Sequence, residues 1–138
     1  MWRAAWLVGL ACIAGECAAH PLTKVPKSGP IPEAPNSIGY PSADAALAAL
    51  RAKPGVSFSE QGGWTIAEER SSATLWSFTP ASHRAHPSAV KRQLVNEDGA
   101  VNLKMSVSCR AAKAVCDALV RDFETLNQQM IKAIREGR

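Results

Sequence analysis

The side chains best suited to bind a ligand lie in one short stretch that is rich in histidine and basic residues. The candidates are His83, Arg84, His86, Lys91 and Arg92. Two histidines three positions apart can share a metal ion, but zinc sites take three or four protein ligands, and no further ligand follows at a diagnostic spacing. We therefore predict no metal and no cofactor, and interpret the five residues as a candidate binding site. The alternative is a solvated loop whose histidines cap turns.

Catalysis has little support in the sequence. Neither a G-x-S-x-G nucleophile elbow nor an H-E-x-x-H zinc motif occurs. Glu60, Glu68 and Glu69 are the acids to consider as a carboxylate pair for glycoside hydrolysis. Glu68 and Glu69 are neighbours on a predicted strand, so their side chains point to opposite faces. The sequence thus favours a non-catalytic module over an enzyme, and a hydrolase with an unrecognised site is an alternative.

Residues 1–19 have the pattern of a secretory signal peptide. Arg3 provides a positive start, an apolar run extends from Ala4 to Gly15, and Cys17-Ala18-Ala19 places small residues where signal peptidase cleaves. The apolar run is too short to span a bilayer. A lipoprotein site is disfavoured because Glu16 precedes the cysteine. We predict cleavage after Ala19, a periplasmic or secreted protein, and no transmembrane segment in the mature chain.

Cleavage there leaves Cys109 and Cys116 as a pair, which in an exported protein predicts a disulfide. Seven residues of continuous helix advance about 10.5 Å, whereas bridged Cα atoms lie roughly 4.4–6.8 Å apart, so the two cysteines cannot share one helix. Cys109 must then end a strand, with a helix starting near residues 111–113. A redox-active pair is the alternative, although such pairs usually have the closer C-x-x-C spacing.

Residues 20–39 are predicted to form a flexible, proline-rich leader. Six prolines occur between residues 20 and 41, and this density blocks helices and sheet ladders and favours an extended chain. A spacer is the simplest role. The alternative is a polyproline ligand for the aromatic groove of a partner, for which Pro32 and Pro35 have the spacing.

Residues 40–138 are predicted to form a single α+β domain. A short helix is expected from Ala43 to Ala52, with Ser42 as its N-cap and Pro54-Gly55 as its stop. Alternating patterns then predict strands, and Gly62-Gly63 and Asp98-Gly99 predict tight turns between them. The predicted strands are residues 56–61, 64–69, 73–79, 89–96 and 101–108.

A long C-terminal helix is the last predicted element. Its apolar stripe recurs every three or four positions and consists of Val115, Leu119, Phe123, Leu126, Met130 and Ile134. Short connections favour an antiparallel meander of four or five strands, one face of which the helices cover. The aromatic residues of the strands are predicted to be core, and an exposed one would mark a binding surface. They are Phe58, Trp64, Trp76 and Phe78.

Three features resemble a set of small exported proteobacterial proteins of no established activity. They are Trp76-x-Phe78-Thr79-Pro80, His86-Pro87-Ser88-x-Val90-Lys91-Arg92, and the pair Cys109 and Cys116. The resemblance extends over most of the chain from Tyr40 onward. It implies an envelope or secreted location, and it implies no mechanism and no catalytic residue.

The function predicted from the sequence is a periplasmic or secreted binding or accessory module. An alternative is an inhibitor or immunity-type protein that blocks a secreted enzyme through a protruding loop, for which Pro80–Ser88 is the candidate. The net charge of +4 lacks the clustering of a nucleic-acid binder. It suits an envelope protein or an anionic envelope polymer as the partner, and plain solubility is the simpler explanation.

Overall fold

The computed structural model describes residues 38–137, which form a five-stranded antiparallel sheet with two helices. In chain order the elements are α1 (Ala43–Ala52), β1 (Val56–Gln61), β2 (Trp64–Glu69), a 3₁₀ turn (Arg70–Ser72), β3 (Thr74–Phe78), β4 (Ser88–Glu97), β5 (Ala100–Cys109) and α2 (Lys113–Arg135). Each strand pairs with the next one along the chain. The predicted α+β meander is therefore confirmed.

The predicted signal peptide lies outside the described residues, as does most of the predicted leader. Ile38, near the end of that leader, is fully buried and packs in the core beside α1. Among residues 38–137, no helix is both long enough and apolar enough to cross a membrane.

Two-residue turns join β1 to β2 and β4 to β5, as predicted. Gly62 and Gly63 have φ of +56° and +82°, and Asp98 and Gly99 have φ of +54° and +79°. Tight hairpins need positive φ at both central residues, which glycine adopts without strain and aspartate tolerates. These turns fix the register of both hairpins.

Each face of the sheet has its own apolar cluster and its own helix. On the face that we call the α1 face, Trp76 and Phe78 pack with Leu50 of α1. On the opposite α2 face, Val90 packs with Leu119 and Phe123 of α2. The long C-terminal helix packs on one sheet face, as predicted, but the expectation that both helices cover the same face is wrong. The central strands β3 and β4 have apolar side chains on both sides, so both sides need a cover.

Helix α1 begins at a side-chain cap and packs through small residues. The Oγ of Ser42 accepts a hydrogen bond of 3.1 Å from the N–H of Ala45, as the N-cap prediction requires. Tyr40, just before the helix, meets the edge of Trp76 at 5.7 Å between ring centres. Phe58 is 40% exposed, so its predicted core position is wrong. It lies on the edge strand β1, most of whose residues are exposed to solvent.

The disulfide between Cys109 and Cys116 is present, with 5.8 Å between the two Cα atoms. Cys109 ends β5, and α2 begins at Lys113. The chain doubles back between them, as the geometric argument requires. The bridge therefore ties the start of α2 to the end of the last strand.

Candidate functional site

The structure distributes the five predicted binding residues over both faces of the sheet and over two clefts. Lys91 and Arg92 are neighbours on β4, so Lys91 lies on the α1 face and Arg92 on the α2 face. His83 and Arg84 line a cleft beside the start of α2. His86 lines a different cleft beside α1. The five side chains do not form one site, and their role in partner binding stays a prediction.

Both loop histidines make hydrogen bonds that shape the segment between β3 and β4. The Nδ1 of His83 accepts a hydrogen bond of 3.1 Å from the N–H of Ala85. The Nδ1 of His86 donates to the carbonyl oxygen of Thr79 at 2.9 Å. Ala85 is fully buried, so the segment is packed onto the domain. Within residues 38–137, no three His, Cys, Asp or Glu side chains are grouped so that they could hold a metal ion.

The apolar stripe of α2 is well buried only along its first half. Leu119 and Phe123 are 2% and 6% exposed, whereas Leu126 and Ile134 are 47% and 38% exposed. The better-packed half is the one that the disulfide ties to β5. Apolar surface of the helix therefore stays open to solvent towards its C-terminal end.

Two clefts open on the α2 face, and Arg92 lines both. The neighbours of its guanidinium, Ser77 and Phe123, line the smaller of the two. The larger cleft has a volume of about 330 Å³, and its aliphatic wall consists of Leu75, Leu94, Leu103 and Met130. The smaller cleft has a volume of about 270 Å³, and its apolar wall consists of Trp64, Ile66, Phe123 and Leu126. We call the two together the Arg92 cleft.

Arg92 brings an unpaired positive charge into these apolar walls. The residue is only 8% exposed, and its Nη2 donates to the Ser77 hydroxyl at 3.3 Å. Its guanidinium carbon lies 5.1 Å from the centre of the Phe123 ring, and its buried Nε has no hydrogen-bond partner among the described residues. Burial lowers the pKa of Arg92, but an arginine stays protonated at neutral pH. No carboxylate in the described part of the chain pairs with it.

A second polar group of the α2 face is also incompletely bonded. The Nδ2 of Asn127 lies 3.2 Å from the sulfur of Met105, which is the β5 residue opposite Arg92 in the register. The buried Oδ1 of Asn127 has no hydrogen-bond partner within residues 38–137. Buried polar atoms are nearly always hydrogen-bonded in folded proteins. The two exceptions among the described residues, Arg92 Nε and Asn127 Oδ1, both lie on the α2 side of the sheet.

The α1 face buries a charge as well, but there the charge has partners. The side chain of Glu69 is 7% exposed and forms an ion pair with Lys53. Its Oε1 accepts a hydrogen bond of 2.8 Å from the indole N–H of Trp76. Burial alone would raise the pKa of Glu69, but the hydrogen bonds from Lys53 and Trp76 and the charges of Lys53 and Lys91 outweigh it. The pKa of Glu69 is therefore lowered.

Sequence reasoning selected Arg92 but missed the residues that surround it. The signal was in the alternation of β4, where Arg92 takes the position between Val90 and Leu94 on one face. A charged residue in an apolar row is either paired or functional. The other walls of the cleft come from β3, β5 and α2, and only the tertiary arrangement brings these elements together.

No protein-family model matches the chain, and no curated protein or solved structure matches it either.

Proposed function

We propose that this chain is a non-catalytic binding module of the periplasm or the extracellular medium, and that it holds its ligand in the Arg92 cleft. The observation that carries the proposal is the combination of an open apolar cleft with one buried, unpaired cation in its wall. Ligand sites are typically concave and mostly apolar, with a few polar groups that orient the ligand.

The volume of the larger cleft supports a small-molecule ligand. It measures about 330 Å³, which falls at the lower end of the range of roughly 300–1,000 Å³ for such sites. Three of its four aliphatic residues come from the sheet and one, Met130, from α2. A pocket with this rigid floor needs little reorganisation on binding, which favours affinity.

The cleft is a better candidate than the loop of residues 80–88, which the inhibitor hypothesis requires. That loop is held by the hydrogen bonds of His83 and His86 and by the burial of Ala85. Replacing His83, Arg84 and His86 together by alanine is therefore expected to lower stability. If that variant instead keeps its stability and loses a protein partner, the loop would be the binding site.

A neutral fluorescent probe tests the proposal. N-phenyl-1-naphthylamine becomes fluorescent in apolar sites, and titration into the full chain gives its dissociation constant. Met130→Lys places a charge in the cleft and is expected to weaken binding about tenfold, since losing one buried apolar side chain costs roughly 1.5–3 kcal/mol.

Gln129→Lys is the matched control for Met130→Lys. Gln129 is exposed and precedes Met130 on the same helix, so the charge change is equal, but the cleft stays intact. The control is expected to bind the probe as the parent does. Equal binding by both variants, or no binding by the parent chain, would contradict the proposal.

Export is tested by native mass spectrometry of the protein from the envelope of its own host. The expected mass is that of residues 20–138 less two hydrogens, and reduction should restore the two hydrogens. An uncleaved or lipid-bearing mass would contradict the predicted processing. A retained small molecule would identify the ligand directly.

A further inference from the structure

We propose that the ligand of the Arg92 cleft is an anionic amphiphile, namely an aliphatic chain with a single carboxylate that contacts the guanidinium of Arg92. This inference rests on the proposed function and adds the chemical class of the ligand. It follows from two properties of the cleft, its buried charge and the nature of its walls.

The buried charge requires an anion. A guanidinium removed from water without a counter-charge is unfavourable, and its electric field is only weakly screened there. Arg92 has the Ser77 hydroxyl and the face of the Phe123 ring as neighbours, and both are uncharged. Carboxylates are among the anions that the planar fork of arginine binds best, since two oxygens can accept from it at once.

The walls require an apolar chain. Leu75, Leu94 and Leu103 present only aliphatic carbon, and Met130 adds only a weakly accepting thioether sulfur. A flexible aliphatic chain fits such a wall, and each buried methylene contributes about 0.8 kcal/mol. A ligand that was charged or hydroxylated along its length would lose hydration there without compensation.

Two acidic residues, Glu68 and Glu69, border the larger cleft, and both would repel an anion. Glu69 is compensated by its ion pair with Lys53 and its hydrogen bond from Trp76. The other acid is Glu68. Its side chain is 47% exposed, and its Oε1 is 3.3 Å from the Nε of Arg70. Solvent and this neighbouring cation both screen its charge. Arg92, in contrast, is buried without a carboxylate partner among the described residues, so its charge is the least compensated of the charges that line the cleft. We therefore expect Glu68→Gln to strengthen the binding of the anion only modestly.

The experiment compares decanoate with 1-decanol, which has the same chain length and no charge. Each displaces N-phenyl-1-naphthylamine from the full chain at concentrations below micelle formation. Decanoate is expected to bind at least tenfold more tightly than decanol, because hydrogen bonds to charged groups are worth about 1.5–3 kcal/mol. Decyl sulfate serves as a third ligand and shows whether the carboxylate itself is preferred.

Arg92→Gln removes the charge and is expected to abolish the preference for decanoate over decanol. Arg92→Met, which replaces the charged side chain with an unbranched apolar one, is a second variant in case the first does not fold. Arg121→Gln is the matched control, because Arg121 is an exposed residue of α2 and its loss changes the net charge equally. The control is expected to keep the preference.

The possible outcomes separate the two proposals. If neither decanoate nor decyl sulfate binds the parent chain more tightly than decanol, or if Arg92→Gln keeps the preference, the anionic ligand is ruled out while the binding cleft stands. If decyl sulfate alone is preferred over decanol, the carboxylate is wrong and another anion is right. If the parent chain binds neither the probe nor decanoate, the proposed function itself fails.

Discussion

Each face of the sheet carries a tryptophan and a buried charged side chain, but the surroundings of these residues differ between the two faces. On the α1 face, Trp76 is 1% exposed and the buried Glu69 has an ion pair and a hydrogen bond. On the α2 face, Trp64 is only half-buried, and the buried Arg92 has no counter-charge. The buried charge of the first face is partnered by residues of that face, and the buried charge of the second is not.

This difference agrees with the proposal that the ligand binds on the α2 face. A face whose buried charge is partnered contributes stability. An open apolar face with an unsatisfied charge contributes less stability, and it offers binding energy to whatever covers it. Natural proteins commonly accept such local conflicts at functional sites. Substitutions on the two faces can test the comparison.

The largest difference is expected between the two strand tryptophans. Trp76→Ala should lower the free energy of unfolding by about 3–5 kcal/mol, because the side chain is almost completely buried and its loss leaves a cavity. Trp64→Ala should cost only about 1–2 kcal/mol, because the ring is partly exposed already. Urea unfolding of both variants measures the two values. Equal losses would mean that the α2 face is packed as tightly as the α1 face.

A smaller loss is expected when the partnered charge of the α1 face is removed. Glu69→Gln should lower the free energy of unfolding at pH 7 by about 1–3 kcal/mol, because one of the buried interactions with Lys53 and Trp76 is lost. Glu97→Gln is the control. Glu97 also pairs with a lysine, Lys104, but that pair is exposed, so its loss should have no measurable effect.

The effect of Glu69→Gln should depend on pH in a definite direction. The pKa of Glu69 is lowered in the folded state, so its charge stabilises the protein above the ordinary pKa of a glutamate, near about 4.3. That stabilisation is lost as the pH falls through the folded-state pKa. The difference between parent and variant is thus complete at pH 7 and shrinks in the acidic range. A difference that stays constant down to pH 2 would rule out this origin.

Local patterns predicted the elements of this fold well, because each depends on a few neighbouring residues. The alternation of apolar and polar residues predicted the strands, and Gly62-Gly63 and Asp98-Gly99 predicted two turns. The short Cα–Cα distance that a disulfide requires placed Cys109 outside the helix that contains Cys116. These features follow from backbone geometry alone, and the structure confirms them.

The candidate site was harder to predict, because it depends on which elements meet. Proximity in sequence grouped Lys91 with Arg92, although the period of a strand sends them to opposite faces. The exposure of Leu126 also contradicts the simple reading of an apolar helical stripe as core. The apolar stripe is continuous in the sequence, but only its first half packs closely against the sheet. No local sequence pattern shows where this packing ends.

The last prediction concerns the unpaired charge of the α2 face. Its removal should raise the free energy of unfolding, whereas removal of the Glu69 charge should lower it. Arg92→Met should raise the free energy of unfolding of the ligand-free protein by about 1–2 kcal/mol, because it replaces an uncompensated buried charge with an apolar side chain. Arg121→Met, on the exposed side of α2, should change it little. Loss of stability in Arg92→Met would mean that the cation is a structural residue of the closed fold.

Added ligand should invert this order of stabilities. A ligand at a hundred times its dissociation constant stabilises the folded state by about 2.7 kcal/mol. The parent chain should gain this from decanoate, whereas Arg92→Met should gain much less. The parent would then become the more stable of the two, although it is the less stable without ligand. Thermal unfolding of both proteins with and without decanoate measures this inversion. Equal increases in the midpoint temperature of the two proteins would mean that Arg92 does not contribute to binding.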